Sequence, residues 1–177
     1  MAYEIIASKL YTPLIGNSIY VWTSILAITL LGLAVGYKQG DKTAIDRPNL
    51  AYILIIAGVF MLFIPFIYAS ILTPFLSLDI RLLSILSGIV ILLIPMFLLG
   101  QVSPILIRLI SQGNEEKTGY NSGLIYFIGT IGGVILNIVA IFILLEFLGV
   151  KKTILMFGLL LIIIGLIAKY LFRYEKL

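Results

Sequence analysis

A polytopic bundle of transmembrane α-helices, all-α throughout, is the fold class this sequence predicts, and three observations predict it. Leu50 to Leu72, Leu82 to Leu99, Leu124 to Leu145 and Ile154 to Ala168 are long runs that carry no charged residue. Crossing a hydrocarbon core of about 30 Å takes about 20 such residues as helix. Charged residues make up only 11% of the chain and mean hydropathy is +1.20, so the loops are too short to build a water-soluble domain. The runs are also apolar on both parities, unlike the alternating strands of a membrane barrel. Backbone groups in lipid must be bonded within their own segment, which selects helices.

The 177 residues read as one transmembrane domain of five spans, about 14–37, 49–74, 80–100, 122–148 and 152–172, behind an N-terminal stub. Met1 to Thr12 is a short helical stretch, too short to cross, that ends at Pro13. The first span closes at Tyr37 in the charged loop of Lys38, Asp41, Lys42, Asp46 and Arg47. The second begins after Pro48 and contains Pro65, which removes one backbone donor and predicts a kink. The third holds Pro95 in its last third. Gly100 to Pro104 then reads as a helix break, because Pro104 lacks an N–H and biases Ser103 away from α geometry. Gln101 and Ser103 are placed to bond the carbonyls so freed. Gly149 stops the fourth span, and Lys151 and Lys152 open the fifth.

Composition excludes several functions. The chain has no cysteine and no histidine, which removes thiol chemistry, disulfides, His or Cys haem ligation and the usual zinc sites. No metal, cofactor, catalytic residue or nucleic-acid partner is expected. The net charge of +4 sits at span ends, where it reports orientation. Eight Lys and Arg fall on the side of the loops after spans one and three and of the C-terminal tail, against four on the other side. The positive-inside rule then predicts a multi-pass protein of the cell membrane with its N-terminus outside and its C-terminus cytoplasmic.

Span four carries an unusual face for lipid: Ser122, Tyr126, Gly129, Thr130, Gly133 and Asn137 recur at helical spacing. Gly129 and Gly133 form a GxxxG pair, and Gly32 and Gly36 of span one form a second. Small residues let helix backbones approach closely where lipid removes the hydrophobic drive, so spans one and four are expected to be neighbours. The polar members, with Ser18, Trp22, Gln101 and Ser103, read either as packing and interface residues or as a polar pathway through the bundle. Glu146 reads as an interfacial carboxylate paired with Lys151 and Lys152. Glu4 stands either at the membrane surface or points into the bundle toward Lys9 or Ser8.

Pro13, Gly16, Ser18 and Val21-Trp22-Thr23-Ser24, followed by Gly32, Gly36 and Tyr37, resemble the membrane part of the spermidine synthase-like fused membrane proteins. Pro95, Leu98-Leu99-Gly100 and Ser103-Pro104 resemble that family's second hallmark, and Gly119 through Tyr126, Thr130 and Gly133 to Gly149 a third. The resemblance implies half of a major-facilitator-like bundle in which Glu4 to Pro13 is the tail of the first helix, without that helix's apolar beginning. The family's aminopropyltransferase domain has no counterpart here, since no glycine-rich loop followed by acidic residues occurs. Enzymatic activity is therefore not expected. What the resemblance implies is a protein that moves or senses a small solute such as a polyamine, or docks a cytosolic synthase-like partner. The alternative is a structural subunit, assembling as a homo-oligomer or with another membrane chain through its GxxxG faces.

Overall fold

The computed structural model describes residues 2–43, 48–112 and 115–174. Asp46, Arg47 and Lys176 of the charged loop and tail lie outside the described residues. All described elements are helical: α1 (Ala2–Ile15), α2 (Ile19–Thr43), α3 (Pro48–Leu72), α4 (Ile80–Gly88), α5 (Ile94–Gly100), α6 (Val102–Ser111), α7 (Thr118–Val139) and α8 (Leu145–Tyr174). Two π-helical turns, Ile89–Leu93 and Ala140–Leu144, join α4 to α5 and α7 to α8.

Among the described residues, four continuous helical stretches are long and apolar enough to cross a membrane: Ile19–Gly40, Leu50–Phe75, Ile80–Ser111 and Thr118–Leu171. The last, at 54 residues, is far beyond one crossing. Gly149 divides it, with φ 74° and ψ 172°, a region essentially reserved for glycine. The protein is thus an all-α bundle of five apolar spans preceded by α1. Thr153, fully buried, places its hydroxyl 2.8 Å from the Gly149 carbonyl and 3.2 Å from that of Leu144, bridging the bend.

Close glycine contacts fix the directions of the spans. A Cβ on Gly32 would meet Met96 and Leu93, and one on Gly40 would meet Gln101 and Pro104, so α2 runs parallel to the third span. Gly58 faces Gly158, and Gly165 faces Ala51 and Ile55, so α3 and α8 run antiparallel. One end of the bundle therefore carries Gly16, Asp79 and Gly149, and the other carries Thr43 and Ser111.

The expected pairing of spans one and four is corrected. Gly32 and Gly36 close against α5, where Gly100 lets the backbones touch. Gly129 and Gly133 have nothing within 4 Å of an added Cβ. No residue of α7 is buried. Its main contacts are with α6, α1 and the turns flanking it, and Asn121 donates to the Ser111 hydroxyl at 3.1 Å. Equal spacing of small residues gives two possible partners, and the packing selected α5. An isoleucine at Gly133 is accordingly expected to leave the melting temperature of the monomeric chain unchanged, as read in detergent.

Span three also differs from expectation. Gln101 keeps right-handed helical angles (φ −70°, ψ −22°), so the helix continues through Pro104 to Ser111 instead of ending at Gly100. The Gln101 side-chain amide reaches the Phe97 carbonyl at 3.5 Å. At Pro95 the missing N–H would have served the carbonyl of Ile91, four residues back. The Tyr3 hydroxyl of α1 supplies the donor at 3.0 Å in a buried contact. The widened turn Ile89–Leu93 lies at this site.

The stub α1 is consequently a core element. Ala2, Tyr3, Ile6, Ala7, Leu10 and Tyr11 are all buried, and Pro13 lies inside the helix. Removing only the Tyr3 hydroxyl, in Tyr3→Phe, leaves a buried carbonyl without that donor and is expected to cost about 1–3 kcal/mol. Denaturant unfolding in mixed micelles reads this, and a midpoint equal to the parent's would refute it.

Candidate functional site

A groove of about 530 Å³ opens beside the start of α1. Ala2, Tyr3 and Glu4 of α1 line it, with Leu26, Thr29, Leu30, Leu33 and Tyr37 of α2, Leu136 of α7 and Phe157, Leu160 and Leu161 of α8. Met61 of α3 and Met96 and Leu99 of α5 complete the wall. Leucine, methionine and aromatic side chains make this surface apolar, as binding grooves are, with a few polar groups to orient a ligand.

Two polar groups stand out. Glu4 sits half-buried in the first turn of α1 and brings the groove its carboxylate. Thr29 is 3% exposed and its hydroxyl has no hydrogen-bond partner. Other threonines here return their hydroxyls to their own helix: Thr12 to Ser8, Thr73 to Ala69, Thr130 to Tyr126. A buried hydroxyl that forgoes this bond is an exception that calls for a reason.

A second cleft of about 350 Å³ adjoins the first and shares Ala2, Tyr37 and Leu136 with it. Here the structure brings together Ser103 of α6 and Tyr126, Gly129, Thr130 and Gly133 of α7. Ser18 and Trp22 lie elsewhere. Ser18 accepts from the Val21 amide at 3.4 Å, and the Trp22 indole donates to Asn17 at 2.9 Å on the exposed first turn of α2. Gln101 is buried between α5 and α6. Asn137 has a buried side-chain oxygen with no partner, next to the groove-lining Leu136.

Glu146 is exposed and, among the described residues, makes no ion pair with Lys151 or Lys152. Among the described residues no group of three or more potential metal ligands occurs. Sequence reasoning identified the polar face of α7 and placed Thr29 in the matching pattern of span one with Ser18, Trp22, Gly32 and Gly36, but it did not find Tyr3. The signal for Tyr3 was present: a tyrosine on the short stub, and a proline in span three with an orphaned carbonyl.

Fold and site together define a polytopic helical membrane protein with an apolar groove that holds one carboxylate. No protein family, curated protein or solved structure matches the chain.

Proposed function

We propose that this protein binds a small cationic or amphipathic solute in the groove, in order to move or sense it across the membrane. The observation that supports the reading is the Glu4 carboxylate set in an apolar groove beside the unpartnered Thr29 hydroxyl. An ammonium group suits the carboxylate, a methylene chain suits the leucine and methionine walls, and the aromatic rings favour a cation over an anion. The resemblance noted above makes polyamines the first solutes to test. In this reading the end with Thr43 and Ser111 faces the cytoplasm, by the Lys and Arg bias, and its basic loops are where a synthase-like partner would dock.

The test is equilibrium binding of labelled spermidine to purified protein in liposomes, against empty vesicles. Binding above background is expected, and Glu4→Gln is expected to weaken it about tenfold. A signal no greater than that of empty vesicles would overturn the reading. A second reading, a structural subunit, is favoured by the bare Gly129 and Gly133 face of α7. Co-purification of a stoichiometric membrane partner after gentle solubilisation, without spermidine binding, would decide for it.

A further inference from the structure

A separate pocket of about 390 Å³ lies at the Gly149 end of the bundle. Ile19, Tyr20, Thr23 and Ser24 of α2 line it, with Arg81 and Ile85 of α4. The Arg81 guanidinium stacks over the Tyr20 ring, 5.3 Å from its centroid. This cation–π contact draws the arginine toward α2, at the pocket.

Arg81 is always charged, and among the described residues it makes no ion pair with a carboxylate. The nearest acid in sequence, Asp79, is occupied in capping α4, where it accepts the Arg81 backbone amide at 2.8 Å. Thr23 and Ser24 form no side-chain hydrogen bond within the described residues. The pocket thus offers a guanidinium fork and two hydroxyl donors, and no acid lines it. The start of α2 adds the positive end of a 25-residue helix. Beside these donors Ile19 and Ile85 are 76% and 45% exposed, an apolar shoulder where acyl chains lie.

From this arrangement we infer that the pocket binds the phosphate group of an anionic phospholipid. The guanidinium and the Thr23 and Ser24 hydroxyls take the phosphate oxygens, and Ile19 and Ile85 meet the first methylenes of the tails. A planar fork matches phosphate bidentately, and the site lies where two spans begin, at headgroup depth. The inference rests on the membrane-spanning fold and is independent of the solute proposed for the groove.

The full chain, purified in mild detergent with equal phosphatidylglycerol and phosphatidylcholine, is examined by native mass spectrometry for retained lipid. Phosphatidylglycerol is expected to be retained in preference. Arg81→Gln is expected to lower that retention about fivefold, the factor that one arginine contributes near an anionic surface. Lys169→Gln is the control, because Lys169 also stacks on a tyrosine, Tyr52, at 4.9 Å but at the opposite end. It is expected to change nothing. Thr23→Val is expected to lower retention with an unchanged melting temperature, which keeps the test decisive if Arg81→Gln fails to assemble. Equal retention by parent, Arg81→Gln and Thr23→Val would overturn the inference, as would an equal loss in Lys169→Gln. Displacement of the lipid by inorganic phosphate would assign the pocket to the free anion and overturn the lipid assignment.

Discussion

Valine in place of Gly36 is expected to abolish the folded bundle. A Cβ at this position runs into the Phe97 carbonyl oxygen and stands 3.0 Å from the Gly100 Cα. Both obstacles are backbone, so no side-chain rotation relieves them. α2 would have to lift away from the third span, and Gly32 and Gly40 lie in the same tight seam. Overpacking a core by a few methyl groups costs about 1–3 kcal/mol, and separating two helices along a whole seam costs more than that. Size-exclusion chromatography and thermal melting read the outcome. Gly133→Val is the matched control: it inserts the same side chain where nothing lies within 4 Å, and a shift below about 0.5 kcal/mol is expected. A Gly36→Val protein that elutes and melts like the parent would refute the seam.

Alanine in place of Gly149 is expected to lower stability by about 1–3 kcal/mol, the cost of holding a residue with a Cβ in a backbone region that glycine alone enters freely. The space around Gly149 is open, so the whole penalty is conformational. The observed φ of 74° and ψ of 172° turn the chain between the fourth and fifth spans, and the Thr153 hydroxyl braces the bend. Denaturant unfolding against Gly123→Ala separates this from a general glycine effect. Gly123 also has open space but a helical backbone, and alanine there raises helix propensity by up to about 1 kcal/mol. Equal shifts in the two variants would show that the bend at Gly149 carries no strain penalty.

The spans were legible from the sequence because their cause is local: an uncharged run of the right length has one stable form in lipid. The pairing of the spans was not. Gly32 and Gly36 announce a close approach, yet Gly129 and Gly133 announce it equally, and spacing within a helix does not name the helix opposite. The surface that met α2 was centred on Gly100, a residue read as a break, because the Gln101 backbone stays helical ahead of Pro104. Burial of α1 was illegible for the same reason. Its fourteen residues are too few to signal a span, and only their fit against the third and fifth spans shows that they belong inside. The candidate site divides accordingly. Tyr126 and Thr130 could be read from one polar helix face and Ser103 from the segment Gly100 to Pro104, whereas Tyr3 acquires meaning only when α1 has been set against the third span.

Tyr3 belongs to two structures at once. Its ring forms part of the groove wall, and its hydroxyl is the donor that reaches the Ile91 carbonyl left over by Pro95. No water waits in the hydrocarbon to replace that donor if the ring swings aside. The phenol is therefore a linchpin, and whatever pushes on it from the hollow loads the proline joint of the neighbouring helix.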